Sequence, residues 1–289
     1  MPDRTAPPGR SYLYVPGHQD SRHARALHSG ADDVVVDLED AVPADAKHQA
    51  REACARLLAG DLTGGARVWA RVNSHPAHLA ADLAAVVSPA LTGVWVPKAE
   101  PALLAEVDER LTSLELGAGL PAGAVAVIAL VETATGVLRA EQLCEAPRVV
   151  RLGIGAADLA GELRLRPDAE SNQLHGVRLT VVLASAAAGL APPVGPVEIA
   201  LHDEERLLRS TSLLLRQGFR ARTALHPRQV PVINAAFTPT PAEVEEATAV
   251  LAVLEEARRR GQATAVDPAG RLVDPAVVRS AWEVLDRAR

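Results

Sequence analysis

Val127-Ile-Ala-Leu-Val-Glu-Thr-Ala134 and Leu152-Gly-Ile-Gly-Ala-Ala-Asp158 decide the fold of this 289-residue chain. Each is an apolar run that stops at a carboxylate, Glu132 in the first and Asp158 in the second. Short apolar runs bounded by glycine or polar residues read as strands buried on both faces, the pattern of a parallel sheet. A carboxylate placed where such a strand leaves the core is costly to bury alone, so it needs a cation or a partner. Two of them on consecutive strand ends, with a helical pattern between, can sit side by side over one divalent metal.

The same alternation extends in both directions. Towards the N-terminus, strands are expected at 11–15, closed by Pro16-Gly17, at 33–38, running into Glu39 and Asp40, at 67–72, ended by Asn73, and at 93–97, followed by Lys98. Towards the C-terminus, 197–201 reads as the seventh strand and 221–225 as the eighth, with His226-Pro227 opening the next helix. Helical patterns separate them: a short one with Asp20 at its N-cap, then 44–59, 77–87, 102–116, 136–144, 172–189, and one capped by Asp203. Eight strand-helix units in about 230 residues suit a closed (β/α)8 TIM barrel, an α/β fold, better than an open sheet. Val15-Pro16-Gly17-His18 is no Gly-rich phosphate fingerprint, which an open doubly wound sheet would carry after its first strand. The barrel is expected over residues 1–237. Residues 238–289 form a C-terminal helical extension and lid segment: a helix reaching Arg260, a looser tail from Gly261 to Pro275 and a final short helix.

Composition narrows the function. Hydrophobic residues make up 48% of the chain but aromatics only 2%, so the core must be mostly Ala, Val and Leu. A net charge of −6 with no lysine-rich run argues against a nucleic-acid partner. Lys47 and Lys98 are the only lysines. The two cysteines, Cys54 and Cys144, lie far apart in helical patterns and read as small buried side chains rather than a disulfide or zinc site. No run is long enough to span a membrane and none reads as a signal peptide, so a cytoplasmic protein is expected.

In a closed parallel barrel, catalytic groups come from the C-terminal ends of several strands. Here those ends supply Pro16 and Gly17, Glu39 and Asp40, Arg71, Lys98, Glu132, Asp158 and His226. Glu132 and Asp158, helped by Glu39 or Asp40, offer hard oxygen ligands with no His or Cys at ligand spacing, which favours Mg2+ or Mn2+ over zinc. Arg71 offers a fork for a substrate carboxylate. Pro16, Gly17 and Lys98 are further candidates for the substrate-binding shell. Lys98 is expected as a charge partner rather than a Schiff-base amine, because neighbouring carboxylates raise an amine's pKa. The simpler reading competes at every position: acids near strand ends also cap helices, and arginine-carboxylate pairs also satisfy buried charge.

Long ordered motifs resemble the citrate lyase beta subunit-like group of the HpcH/HpaI aldolase superfamily. They are Arg10-Ser-Tyr-Leu-Tyr-Val-Pro-Gly17, Gly30 to Val42, Arg71-Val-Asn73, Val96-Pro-Lys98, Ala129-Leu-Val-Glu-Thr-Ala134, Gly153-Ile-Gly-Ala-Ala-Asp-Leu159 and His226-Pro-Arg-Gln229. The resemblance implies a TIM barrel, usually a homotrimer, with Mg2+ held by Glu132 and Asp158. It implies that Arg71 binds the substrate carboxylate and that Glu39 and Asp40 belong to the polar shell around the metal. It further implies a small oxo-acid and a CoA thioester as ligands, and a carbon-carbon lyase acting on a 3-hydroxyacyl-CoA of the citryl-, malyl- or citramalyl-CoA type. A pyruvate-type aldolase, an acyl-CoA thioesterase using the same metal site, or a non-catalytic paralogue within a complex are the alternatives. Asp274 resembles the aspartate that a C-terminal segment brings to a neighbouring subunit's site in several relatives. The chain departs from the pattern at Gly195, Ala200 and Arg222, where relatives carry Asp, Asp and Lys. These departures fall on the seventh- and eighth-strand side and leave the metal side intact.

Overall fold

Seven of the eight strands appear where continuous apolar runs place them. The computed structural model describes residues 9–166, 172–267 and 269–288. The chain divides into two compact units, Met1–Asn234 and Ala235–Arg289. In the first, eight parallel strands close into a barrel in sequence order. They are β1 (Ser11–Pro16), β2 (Asp33–Asp37), β3 (Arg67–Arg71), β4 (Leu91–Val96), β5 (Ala126–Val131), β6 (Val149–Ile154), β7 (Val194–Gly195) and β8 (Ala221–Ala224). The connecting helices are α1 (Asp20–Leu27), α2 (Lys47–Ala59), α3 (Pro76–Val86), α4 (Pro101–Gly117), α5 (Ala134–Leu138), α6 (Ala140–Glu145), α7 (Ala156–Glu162), α8 (His175–Ala187) and α9 (Glu204–Arg216), with α10 (Gln229–Phe237) after β8.

Side chains alternate along each strand, so every second residue faces the barrel axis. Tyr12, Val35, Trp69, Trp95, Ile128 and Leu130 fill that interior, while Val34 and Val36 lie buried on the opposite side of β2. Both tyrosines and two of the three tryptophans meet there. Tyr12 packs edge-on against Trp69 and Trp95, with ring centroids 6.2 and 5.3 Å apart, and Tyr14 lies 5.9 Å from Trp95. In a chain so poor in aromatics, the large rings are spent on the barrel centre, and Ala, Val and Leu fill the strand-helix layer. Space for the rings comes from Gly93, where a Cβ would stand 2.4 Å from both the Ala126 carbonyl and the Trp69 ring. Gly93→Ala is therefore expected to overpack the barrel by about 1–3 kcal/mol and to lower the melting temperature by several degrees; an unchanged thermal melt would contradict this packing.

At the N-terminal ends of the strands the interior turns polar again. Asp33 is fully buried and accepts hydrogen bonds from Arg67 Nε at 2.8 Å and Trp69 Nε1 at 2.8 Å. Arg151, also fully buried, donates to the Gly9 carbonyl and the Tyr12 hydroxyl. This end is a sealed plug, and the opposite end is open.

Three expectations about the barrel need correction. The seventh strand is not 197–201: β7 is the two residues Val194–Gly195, and 197–200 is loop, with Ile199 72% exposed and Glu198 buried. Pro192, Pro193 and Pro196 flank β7 and carry no N–H, which keeps its ladder short. Asp20 is the first residue of α1 rather than its cap; its carboxylate pairs with Arg56 at 2.7 Å instead. The expected helix between the fifth and sixth strands is two short ones, α5 and α6, meeting at Arg139.

In the second unit, α11 (Pro241–Arg259) starts from a reciprocal capping box between Thr240 and Glu243. The tail expected to be loose contains an antiparallel ribbon, β9 (Ala265–Val266) with β10 (Leu272–Val273). The final helix, α12 (Pro275–Arg287), has 13 residues and is not short. Ala247, Val250, Leu254, Val273, Val278 and Ala281 form this unit's core. No described helix is long and apolar enough to cross a membrane.

Candidate active site

A cavity of about 410 Å3 opens at the C-terminal ends of the barrel strands. Tyr14 and Pro16 of β1, Asp37 of β2 with Asp40, Arg71 of β3, Leu130 and Glu132 of β5 and Asp158 of α7 line it, with Pro196, Val197, Thr223 and Leu225 on the far side. Glu39, Lys98, Gly17 and His226 are not among its lining residues. Arg71, Asp40, Glu132, Asp158 and Pro16 are thus brought to one surface, as strand-end placement predicts.

Arg71 closes β3 in register with Asp37 on β2. Its Nε and Nη2 donate to the two Asp37 oxygens at 2.7 and 2.6 Å. Its Nη1 stands 3.0 Å from Glu39 Oε2, and its guanidinium carbon lies 5.0 Å from the Tyr14 ring centroid. Burial disfavours this cation, but the Asp37 hydrogen bonds and the surrounding acids outweigh it and hold the guanidinium above its ordinary pKa. Two of the five N–H bonds are donated to Asp37, and Glu39 Oε2 lies beside Nη1 without accepting a hydrogen bond. Both Nη1 N–H bonds and one on Nη2 remain, enough for a fork of the kind that grips a carboxylate.

Glu132 follows β5 directly and is 3% exposed. Its Oε1 accepts the Lys98 backbone N–H at 2.8 Å, and Lys98 takes a left-handed φ of 49° there, a rare backbone state for a residue with a side chain. Glu132 Oε2 lies against Gly155, where a Cβ would be 2.2 Å away, so residue 155 has to be glycine for the carboxylate to face the cavity. Burial pushes the Glu132 carboxyl up to about 7; the Lys98 N–H pulls the other way, and Asp158 pushes it further up. Burial also raises Glu39 to about 7, opposed by Arg71 and reinforced by Asp40 and Glu132.

Lys98 therefore serves Glu132 through its backbone. Its ammonium is exposed, 3.9 Å from Glu39 Oε1. Gly17 donates its N–H to the Asp37 carbonyl at 2.8 Å and helps shape the rim. His226 accepts the Arg228 N–H on Nδ1 at 3.1 Å, as expected of a residue that opens a helix.

Asp37 and Tyr14 were not singled out in the sequence, although period-two alternation from Val35 points Asp37 inward. Lys47 stands out in the sequence only as one of two lysines, with no site role to mark it. Its ammonium donates to the carbonyls of Leu38 and Glu39, each at 2.7 Å, and to Asn73 Oδ1 at 2.9 Å. Asn73 in turn donates from its backbone and its side chain to buried Asp82 of α3, at 2.8 and 2.6 Å. Arg51 of α2 closes the set on Asp82 at 2.7 Å.

The side where the motifs depart is a packed polar layer behind the strand. Arg222 is 3% exposed and donates to the Pro196 carbonyl, Ser210 and Thr211, with Glu198 3.6 Å away. Burial lowers its pKa to about 10, against the pull of Glu198. Gly195 contributes its carbonyl to the Thr223 hydroxyl, and Ala200 lies in the loop after β7. Asp274 belongs to the second unit, where it caps α12 by accepting the N–H groups of Ala276 and Val277.

A family model for HpcH/HpaI aldolase/citrate lyase matches residues 10–227. The chain belongs to the HpcH/HpaI aldolase/citrate lyase family. It is 30% identical to citrate lyase subunit beta of Haemophilus influenzae, over 97% of this chain and 97% of the relative. It is 35% identical to a (3S)-malyl-CoA thioesterase of Cereibacter sphaeroides, over 98% of this chain and 95% of the relative. Among solved structures, protein CitE of Mycobacterium tuberculosis, in complex with magnesium, acetoacetate and coenzyme A, is similar at a TM-score of 0.80 and 31% identity, covering 99% of both chains. The family match ends at Pro227, in the loop after β8, so it covers the strand ends that build this cavity.

Proposed function

We propose that the chain is a Mg2+-dependent carbon-carbon lyase that cleaves, or forms, a short 3-hydroxyacyl-CoA thioester of the citryl-, malyl- or citramalyl-CoA type. The observation that carries this reading is the meeting, in one cavity, of the Arg71 fork with the Glu132–Asp158 pair. Mg2+ fits the residues present: two carboxylates offer oxygen donors, and burial together with Asp158 holds the Glu132 carboxyl up despite the opposing pull of Arg71 and Lys98. Mg2+ takes one or two carboxylates and keeps its other positions for water and substrate oxygens. A citrate lyase beta subunit of M. tuberculosis is known in complex with oxaloacetate and magnesium, and protein CitE of the same organism with magnesium and pyruvate. Bound by Glu132 and Asp158, the ion would act as a Lewis acid beside the substrate's oxo or hydroxyl oxygen.

The protein's own groups do the rest. Arg71 binds the oxo-acid carboxylate, and Asp37 and Tyr14 fix the guanidinium so that little reorganisation is needed on binding. The Lys98 N–H holds Glu132 towards the cavity. Leu130, Ile154, Pro196 and Val197 form the apolar part of the wall. In the cleavage direction the 3-hydroxyl gives up its proton and the bond between C3 and the thioester's α-carbon breaks. The oxo-acid then stays on Arg71 while the α-carbon takes up a proton. Asp274 is assigned the proton transfer, acting on a neighbouring copy in a homotrimer, and the setting is cytoplasmic; Glu39 and Asp40 complete the acidic shell.

Asp274→Asn separates chemistry from capping, because asparagine caps a helix as well as aspartate does. The expected result is a loss of about 10²-fold or more in kcat with an unchanged melting temperature. Full activity in that variant would remove Asp274 from the mechanism. The 35% identity to a (3S)-malyl-CoA thioesterase favours one second reading, hydrolysis of the thioester at the same site. Incubation with citryl-, malyl- and citramalyl-CoA, following acetyl-CoA and oxo-acid against free CoA, decides between the two. Oxo-acid and acetyl-CoA in equal amounts support the lyase, and free CoA with intact hydroxy-acid supports the thioesterase. Turnover of none of them, with Mg2+ or Mn2+, would leave the non-catalytic paralogue.

A further inference from the structure

We propose that Lys47 is a positioning residue for this site: its ammonium acts as a built-in cation that fixes the turn carrying Glu39 and Asp40. The inference rests on the reading of the cavity given above and extends it to a residue outside the lining. An ammonium has three N–H bonds, and all three of Lys47's are committed, to Leu38 O and Glu39 O at 2.7 Å and Asn73 Oδ1 at 2.9 Å. Two of those acceptors are consecutive carbonyls at the point where β2 has ended and the next helix has not begun. Glu39 O also accepts the Val42 N–H at 3.0 Å, and the Asp37 carboxylate accepts the N–H groups of Glu39 and Ala41, each at 3.0 Å, so Asp37 grips the turn from its N–H side. Lys47 grips the two consecutive carbonyls from the other side and supplies the positive charge that holds the peptide between Leu38 and Glu39. The Glu39 side chain leaves that peptide towards Arg71, and Asp40 follows it into the cavity lining.

The third bond anchors this cation to the barrel wall. Asn73, 6% exposed, also donates Nδ2 to the Leu38 carbonyl at 2.8 Å, so Leu38 O is held from two sides. Asn73 is itself held twice by Asp82, which is 1% exposed and braced by Arg51. The set has alternating charge: Arg51, Asp82, the neutral Asn73 bridge, and Lys47. None of these four side chains lines the cavity. Arginine at position 47 would present a planar fork in place of a compact three-donor point charge and could not meet three oxygens at these distances. A methionine would keep the stem and lose every one of these bonds. Lys47 thus explains one of the chain's two lysines, where every other fixed side-chain cation is arginine.

The test uses the full chain with Mg2+ and pyruvate as probe, binding followed by titration calorimetry and folding by thermal melt. Lys47→Met is expected to bind pyruvate at least tenfold more weakly while still melting cooperatively, and His48→Ala, on the exposed neighbour, to bind as the unaltered chain does. Lys47→Cys then separates the charge from any loss of packing. Its thiolate displaces bromide from 2-bromoethylamine and leaves a side chain one sulfur different from lysine. Cys54 and Cys144 are buried, so the reagent is directed to position 47. With a single aminoethyl group confirmed by mass, recovery of the pyruvate affinity supports the proposal and continued weak binding overturns it. Lys47→Met protein that binds pyruvate as tightly as the unaltered chain overturns it too. If the unaltered chain binds no pyruvate in Mg2+, the reading of the cavity falls and takes this inference with it.

Discussion

Glu132→Gln is expected to abolish turnover, by about 10³-fold or more, while making the metal-free chain more stable at pH 8. The two halves have one cause. Glu132 is buried, backed by Asp158 and carries a pKa of about 7 instead of 4.5. A raised folded-state pKa means that the stability it contributes is complete below about pH 4.5 and is lost as pH climbs through 7. By pH 8 the ionised carboxylate costs the metal-free fold about 3 kcal/mol, at 1.36 kcal/mol per unit. Glutamine keeps the shape and removes the charge, so the cost disappears. The checks are thermal melts of both proteins at pH 5 and pH 8 without metal, then again with Mg2+. The variant should melt higher only at pH 8, and Mg2+ should raise the melting temperature of the unaltered chain far more than that of the variant. Equal Mg2+ stabilisation of both proteins would remove Glu132 from the metal site.

Arg71→Met should do the opposite to stability and the same to function. The guanidinium lies between two buried carboxylates, Asp37 bonded twice and Glu39 at 3.0 Å. Removing one partner of a buried ion pair costs about 3–5 kcal/mol, because the remaining charge has lost its compensation. For a barrel of this size that lowers the melting temperature by roughly 10 °C. Binding of pyruvate should also fall beyond detection, since the cavity loses its carboxylate fork. The double variant Arg71→Met with Asp37→Asn separates the two effects. It should recover much of the stability, having no charge to strand at Asp37, and recover none of the pyruvate binding. Recovery of binding would mean that Arg71 serves the fold and not the substrate. Lysine at 71 is expected to fall between, holding one Asp37 oxygen but presenting no fork.

The barrel and most of its mouth could be read from the chain because strands buried on both faces leave long apolar runs, and each run here stops at a polar residue. That logic places Arg71, Glu132 and Asp158 at the barrel mouth, where they line one cavity, and fails where its premise does. The seventh strand contributes two residues among prolines, too short to write a pattern, and the apolar look of 197–201 belongs to a loop whose Ile199 faces solvent. Asp37 was passed over because it sits inside the apolar run rather than after it, although the alternation from Val35 points it at the axis. Lys47 is marked in the sequence only by being one of two lysines, which says nothing of its partners. Its partners are backbone carbonyls and an asparagine 26 positions away, and only folding brings them to one ammonium. Arg222 reads as a motif departure, and its side chain turns out to face the packed layer behind β8, bonded to Ser210 and Thr211.

The placement of the tryptophans gives the protein two optical colours. Trp69 and Trp95 lie in the dry barrel centre, at 4% and 0% exposure, whereas Trp282 of the second unit is 49% exposed. Indole emission is blue-shifted in apolar surroundings and red-shifted in water. The barrel and the C-terminal unit therefore report on themselves at separate wavelengths, without any added dye. Replacing Trp282 by phenylalanine leaves a chain whose tryptophan emission comes from the barrel alone, where Tyr14 touches both the Trp95 ring and the Arg71 guanidinium.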